Sequence, residues 1–119
     1  MLTLYGLHNC DSCRRAQRAL EAAGFTVDFI DLKQRSTEHG LDDALLDRLL
    51  EGADWRTLLN RRSHTWRDLE EEERSDLDEE SARALMKSRP TLIKRPVVDD
   101  GTTLIVGHDP DGWRSLIDQ

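Results

Sequence analysis

This sequence lacks the long apolar runs and basic stretches that are typical of membrane and nucleic-acid-binding proteins. No segment is apolar over the roughly 20 residues that a membrane-spanning helix needs, and the first residues show no basic region followed by an apolar one. The net charge of −7 opposes nonspecific binding to nucleic acid. With 119 residues and no internal repeat, the chain has the length of one domain. We therefore expect a cytoplasmic protein that binds neither membrane nor nucleic acid directly.

Cysteine is scarce too, because Cys10 and Cys13 are the whole complement. A zinc knuckle needs further ligands, but there is no second Cys-x-x-Cys, and the four histidines include no His-x-x-x-His pair. A structural disulfide between these cysteines would close a loop too short to restrict the unfolded chain much. An inert buried pair is a third alternative, although the polar neighbours of the cysteines favour exposure. We expect no metal site and interpret the pair as redox-active.

Both cysteines lie where a predicted strand is followed by a predicted helix. Residues 2–5 form an apolar β-like run, and the apolar spacing over residues 10–23 predicts a helix for which Asn9 is a candidate cap. Unpaired backbone N–H groups and the positive end of the helix macrodipole stabilise a thiolate at such a helix start. One helical turn separates the cysteines. We therefore expect Cys10 to face solvent and Cys13 to lean toward the core, close enough to form a disulfide with Cys10.

The rest of the chain predicts a mixed α/β protein. Gly24 lies where a helix C-terminal glycine is typical, and residues 25–31 alternate like a strand. The other predicted elements are an apolar helical stripe over 41–50, a short helix over 55–59 capped by Asp54, a helix over 79–88, a hairpin of 97–98 and 103–107 around an Asp-Gly turn, and a terminal helix over 110–117. This order, β-α-β, a helical insertion and then α-β-β-α, predicts one α/β domain over 1–119 with a thioredoxin-like fold and an insertion at about 36–88.

Four motifs together resemble the arsenate reductase-related (ArsC) family of thioredoxin-fold proteins over nearly the whole length. They are Leu4-Tyr5-Gly6 with Asn9-Cys10-Asp11, Trp55-Arg56-Thr57-Leu58-Leu59-Asn60-Arg61-Arg62, Thr65-Trp66-Arg67-Asp68-Leu69, and Leu92-Ile93-Lys94-Arg95-Pro96-Val97-Val98. The chain is most similar to the YffB-type subgroup, which is described as glutathione-dependent thiol reductases. The fold resemblance also implies a cis peptide bond before Pro96, with its backbone facing the active-site cysteine.

The resemblance implies roles for the residues around the cysteines. Cys10 corresponds to the catalytic nucleophile, with its pKa lowered by the helix N-terminus and by Arg14 or Arg95, and Cys13 would resolve a mixed disulfide or a sulfenic acid formed on Cys10. The candidate residues for binding substrate or glutathione are Asn9, Arg14, Arg61, Arg62, Arg95 and Pro96. For the arginines of this set, a surface ion pair is the simpler alternative. Glutathione is the expected co-substrate, with no bound cofactor, and a small thiol or disulfide protein is the other expected partner.

Two comparisons within the family set the order of the functional hypotheses. Arsenate reductases of this family surround the oxyanion with three arginines, but this chain has Asn60 and Gly107 where two of them are expected. We therefore predict a thiol-disulfide reductase and regard arsenate as the less favoured substrate. The alternative is a redox-switched transcriptional regulator like the sister subgroup Spx, which would bind the RNA polymerase alpha subunit, and the second cysteine, Cys13, favours it.

Overall fold

The computed structural model describes residues 1–117. The chain forms two compact units. The first unit is formed by Met1–Gln34 together with the chain from Arg95 onward, and the second by Arg35–Lys94. No helix within the described residues is long and apolar enough to cross a membrane. The assignment of the whole chain to one domain stays a prediction.

The first unit is a four-stranded sheet with two helices. Its elements are β1 (Leu2–Gly6), α1 (Asp11–Ala22), β2 (Val27–Asp31), β5 (Val97–Asp99), β6 (Leu104–Val106) and α7 (Pro110–Ile117). The strand order is β2-β1-β5-β6, with β1 and β2 parallel and the other two pairs antiparallel. The predicted β-α-β unit and β-hairpin are thus confirmed, although β2 begins two residues later than predicted.

Helix α1 follows from its apolar spacing. Cys13, Ala16 and Leu20 share one face and are at most 2% exposed, so this face packs on the sheet. At the other end, Gly24 has a φ of +99° and its N–H donates to the Glu21 carbonyl, while the next N–H, of Phe25, donates to Leu20. These two bonds form a Schellman motif, which requires the left-handed conformation that glycine adopts without strain.

One hydrophobic cluster holds the first unit together. Its buried members come from β1, α1, β5 and α7: Leu2, Leu4, Cys13, Ala16, Leu20, Val98, Trp113 and Leu116. Cys13 is completely buried in this cluster, whereas Cys10 is partly exposed. The peptide bond between Arg95 and Pro96 is cis, which confirms what the fold resemblance implied.

The second unit is helical except for one short hairpin. Its elements are β3 (Ser36–Thr37), β4 (Gly40–Leu41), α2 (Asp43–Gly52), α3 (Trp55–Leu58), α4 (His64–Arg67), α5 (Glu71–Arg74), α6 (Glu79–Ser88) and a 3-10 turn (Pro90–Leu92). Helix α6 has the predicted bounds. The helical assignment of Leu41 is wrong, because Leu41 pairs with Ser36 in the hairpin and Asp42 caps α2 by accepting the Leu45 N–H at 3.2 Å.

Ionic contacts join α6 to α2 and β4 within the second unit. The Lys87 ammonium donates to the Leu41 carbonyl at 3.1 Å and to Asp43 Oδ1 at 2.6 Å. Arg83 bridges Asp43 and Asp47 on α2, with Nη1 2.6 Å from Asp47 Oδ1. These charges are partly exposed, so each pair contributes modestly, and together they form a small network.

Candidate functional site

The cysteine site lies at one edge of the sheet. Because β1 and β2 are parallel, both strands end at this edge, where Gly6 is opposite Asp31. The chain then turns through residues 7–10, and the Cys10 N–H donates to the Leu7 carbonyl at 3.1 Å. This turn places Cys10 directly before the first residue of α1.

Cys10 is itself the N-cap of α1. Its backbone is extended, with φ −103° and ψ 117°, and its carbonyl already accepts the Arg14 N–H at 3.1 Å. The proposed cap Asn9 is therefore one residue too early, and it lies exposed in the turn. The sulfur of a residue at the N-cap position is close to the unpaired N–H groups of the first helical turn, which stabilise a thiolate.

Hydrogen bonds lower the pKa of Cys10. Burial alone would raise this pKa, but hydrogen bonds from the Ser12 hydroxyl, from the thiol and backbone N–H of Cys13, and from the Arg95 guanidinium outweigh burial and lower the pKa from 9.0 to about 7. The Ser12 Oγ lies 3.2 Å from the Cys10 Sγ. Cys10 is therefore more readily ionised near neutral pH than an ordinary cysteine.

Cys13 has the opposite character. Burial is the main cause that raises the pKa of its thiol from 9.0 to about 12, and the hydrogen bond to Cys10 and the nearby Cys10 charge add to it. Both cysteines are free thiols in this structure. Thus Cys10 is the partly exposed thiol with the lowered pKa, and Cys13 is the buried thiol with the raised pKa.

The two arginines assigned to this site differ in their contacts. Arg95, which precedes Pro96 and β5, is half-buried and contributes to the low pKa of Cys10. Arg14 is exposed and forms an ion pair with Asp11, one turn earlier on α1. Of these two cations, Arg95 is the one whose guanidinium hydrogen-bonds to the Cys10 sulfur, while Pro96 is buried at the start of the strand.

The other two candidate arginines lie in the second unit. The Arg61 guanidinium lies over the Trp66 ring, with 5.8 Å from its central carbon to the ring centroid. The Arg62 N–H donates to the Asn60 side-chain oxygen at 3.0 Å, and the Arg62 carbonyl accepts from Arg67. Both arginines are exposed, and their roles in binding stay predictions.

Asp31 is a site residue that the sequence analysis missed. Although it is only 8% exposed, its carboxylate accepts the backbone N–H groups of His8, Lys33 and Gln34, and its Oδ2 lies 2.9 Å from the His8 Nδ1. Burial would raise its pKa, but the three backbone N–H donors outweigh burial, so the pKa of Asp31 is lowered. His8 also stacks on Phe29, with 4.6 Å between ring centroids. Asp31 thus anchors the turn that carries Cys10.

Among residues 1–117, no group of three or more histidine, cysteine, aspartate or glutamate side chains is placed to hold a metal ion.

Replacing Ser12 with alanine is expected to raise the pKa of Cys10, because it removes the side-chain hydrogen bond that most lowers this pKa. The titration of the thiolate absorbance against pH measures the change. Ser115→Ala is the matched control, since Ser115 lies on α7 and its hydroxyl donates to the Gly112 carbonyl. An unchanged Cys10 titration in Ser12→Ala, or an equal rise in the control, would contradict the assignment.

Replacing Gly6 with alanine is expected to destabilise the protein through Cys13. A Cβ on Gly6 would lie 2.6 Å from the Cys13 Sγ, closer than real Cβ atoms approach, and 3.1 Å from the Cys13 Cβ. Because this sulfur is completely buried, it has little room to move, and overpacking of this kind costs about 1–3 kcal/mol. Denaturant unfolding of Gly6→Ala measures the cost.

The Cys13→Ala background is the control for this prediction. Removing the sulfur removes the closest contact, so Gly6→Ala should cost clearly less there, and the double-mutant cycle isolates the interaction. An equal cost in both backgrounds would mean that the strain lies elsewhere.

Comparison with known proteins supports one family. The ArsC family model matches residues 5–116. An uncharacterized protein of Haemophilus influenzae is 36% identical over 106 residues, which cover 88% of this chain and 90% of that protein.

Two solved structures are similar to this chain in both sequence and fold. A YffB protein superposes with a TM-score of 0.86 at 36% identity, covering 98% of this chain and 99% of its own. An arsenate reductase-related protein from Brucella melitensis has a TM-score of 0.74 at 39% identity, with 99% and 95% of the two chains covered. These neighbours confirm the thioredoxin-like fold and the predicted similarity to YffB-type proteins. The chain belongs to the ArsC family.

Proposed function

We propose that this protein is a thiol-disulfide reductase that uses glutathione, with Cys10 as nucleophile and Cys13 as resolving cysteine. The observation that carries the proposal is the position of Cys10 at the N-cap of α1, partly exposed, with buried Cys13 one turn further along the helix. Family membership supports thiol reductase chemistry in general. The opposite pKa shifts of the two thiols support the finer assignment of their roles.

In the first step the Cys10 thiolate attacks the glutathione sulfur of a substrate disulfide, in which glutathione is joined to a small thiol. A new bond forms between the Cys10 sulfur and the glutathione sulfur, the substrate disulfide breaks, and the other sulfur leaves with the electron pair and takes a proton from water. The pKa of about 7 suits this step, because a thiol is most effective as an attacking group when its pKa is near the ambient pH.

In the second step the Cys13 sulfur attacks Cys10 and releases glutathione as a thiolate. The hydrogen bond to Cys10 and the charge of Cys10 are part of what raises the pKa of Cys13, after burial. Both are lost once the Cys10 sulfur is bound in a neutral mixed disulfide, so Cys13 then ionises more readily. Two molecules of glutathione return the Cys10–Cys13 disulfide to dithiol, and they are oxidised to glutathione disulfide.

The charges near Cys10 favour an anionic thiol over arsenate. Arg95 is a half-buried guanidinium beside the sulfur, and a planar guanidinium can bind a carboxylate of glutathione with two hydrogen bonds. Exposed Asn9 and Arg14 flank the same helix start and are further candidates for contact with glutathione. Arsenate is less favoured, since the chain has Asn60 and Gly107 where two oxyanion-binding arginines are expected.

The test is turnover of a mixed disulfide between glutathione and a small thiol. Glutathione is the reductant, and glutathione reductase with NADPH recycles it, so NADPH consumption reports the rate. We expect consumption that depends on the protein and saturates with substrate. Absence of turnover with fully reduced protein, under both the glutathione and the thioredoxin system, would reject the proposal.

A redox-switched regulator is the second candidate, and the presence of Cys13 favours it. A cysteine pair separated by one helical turn can alternate between dithiol and disulfide without a substrate, as a regulatory switch requires. The partner to test is the C-terminal domain of the RNA polymerase alpha chain, in a pull-down with oxidised and with reduced protein. Redox-dependent capture without turnover would favour the regulator.

A further inference from the structure

A pocket between α1 and α7 lies apart from the cysteine chemistry. Its cavity volume is about 300 Å³, which is the lower end of the range for small-ligand sites. Helix α1 and the chain around the start of α7 line it, all within the first unit: Arg15, Ala19, Leu20, Ala23, His108, Pro110, Trp113 and Arg114.

The pocket exists because α1 presents small side chains there. Ala19 on α1 and Ala23, the C-cap residue of α1, are about one turn apart and exposed, so no long side chain fills the space beside α7. Behind them, Leu20 and Trp113 are 2% and 5% exposed and belong to the buried cluster of the first unit. A ligand would therefore meet an apolar, well-supported floor.

The rim of the pocket is positively charged, against the overall charge of −7. Arg15 is exposed and takes part in no ion pair among residues 1–117. Arg114 faces Asp111 at 3.7 Å, but both side chains are more than two-thirds exposed, so this pair is weak. The Asp109 carboxylate makes a hydrogen bond within α7 and its preceding turn instead, since its Oδ1 accepts the Gly112 N–H. An anionic group at the rim would thus find two available guanidinium groups.

Trp113 provides a reporter for the pocket. Its ring lines the cavity and meets the His108 ring edge-on at 5.1 Å between centroids. The buried indole Nε1 has no hydrogen-bond partner within the described part of the chain. Its N–H resonance is therefore sensitive to any molecule that binds against the ring.

We propose that this pocket binds a small anionic amphiphile, a carboxylate with a short apolar chain or ring. The apolar part would lie against Leu20 and Trp113, and the carboxylate would bind between Arg15 and Arg114. The combination of an apolar floor with a cationic rim disfavours cations, which the arginines repel, and fully polar anions, which gain nothing from the floor.

The experiment titrates the protein with octanoate and follows the Trp113 indole N–H resonance, assigned with Trp113→Phe. Octylammonium and octanol are the matched cationic and neutral probes. We expect saturable binding of octanoate alone, with about tenfold weaker affinity in Arg15→Glu and in Arg114→Glu, because each removes a charge-assisted hydrogen bond. Ala19→Leu should abolish binding by filling the cavity.

Arg18→Glu is the control variant, because Arg18 is an exposed arginine of α1 that does not line the pocket and gives the same change in net charge. Equal weakening in Arg18→Glu, equal binding of octanol or octylammonium, or no saturable shift with octanoate would each overturn the proposal. A shift of the Trp113 resonance that grows with protein concentration would instead mean that a second copy of the chain binds at the pocket. Tight octanoate binding only after deletion of residues 118–119 would assign it to the end of the chain, and both results contradict the proposal.

Discussion

Replacing Cys10 with serine is expected to abolish disulfide reduction, lowering kcat/KM by about a thousandfold or more, since a hydroxyl cannot replace the thiolate as nucleophile. Cys13→Ser is the matched variant, because it makes the same sulfur-to-oxygen change at the other cysteine, one turn further along α1. We expect it to keep the first step and to accumulate a glutathione adduct on Cys10, visible as added mass on the protein. Turnover would then depend on glutathione attacking that adduct. Equal loss in both variants without an adduct, or turnover in Cys10→Ser, would contradict the assigned roles.

The pH dependence of alkylation separates the two thiols further. Only the thiolate reacts, so the iodoacetamide rate of the wild-type protein should rise with pH through a midpoint near 7, the pKa of Cys10. In Cys10→Ser the remaining thiol should stay unreactive through neutral pH, because burial, the main cause that raises the pKa of Cys13, is still present in that variant. A wild-type midpoint near 9.0, the pKa from which the Cys10 thiol is shifted, would mean that the hydrogen bonds around Cys10 do not stabilise its thiolate.

Replacing Gly40 with alanine is expected to lower the free energy of unfolding by about 3 kcal/mol. Gly40 has a φ of +98°, and a Cβ there would lie 2.7 Å from the Lys87 carbonyl oxygen and 2.9 Å from the Lys87 Cγ. The carbonyl belongs to the backbone of α6, so it cannot rotate away. Chemical denaturation of the variant measures the loss.

Gly24→Ala is the control for the strain of the left-handed backbone. Gly24 has nearly the same φ, +99°, but no heavy atom of the described residues lies within 4 Å of the place that an added Cβ would take. Its replacement should therefore cost about 1 kcal/mol, the conformational part alone. If both variants lose the same stability, the contact between β4 and α6 is looser than the structure indicates.

Local patterns were sufficient for the elements whose signals lie within a few residues. Helix α6 ended where predicted because its apolar spacing agrees with the cap at Asp78, which accepts the Ser81 N–H, and with Pro90 beyond its end. Helix α1, predicted over 10–23, spans Asp11–Ala22 and so agrees within one residue at each end. By contrast, Leu41 was wrongly placed on a helix, because leucine spacing continued across Asp42, whose capping role separates strand from helix.

The candidate site was only partly visible in the sequence. Cys10 and Cys13 could be identified from their spacing and from the strand before them. The role of Asp31 could not: its bonds from the Lys33 and Gln34 N–H groups are local, but His8 reaches it only when β1 and β2 pair in parallel and end at one edge. One signal was available: a charged residue at the end of an apolar strand.

The amino-acid sequence was enough to identify the family, the order of strands and helices in the first unit, and the position of a cysteine pair at a helix start. These depend on short-range spacing and on motifs that are contiguous in the chain. The difference between the two thiols, in contrast, arises only in the folded protein. Burial of Cys13 against the sheet raises its pKa, and Arg95, distant in sequence, reaches Cys10 and helps to lower the pKa of Cys10. Hydrogen bonds and desolvation act over a few ångströms in space, so only the folded chain can set them.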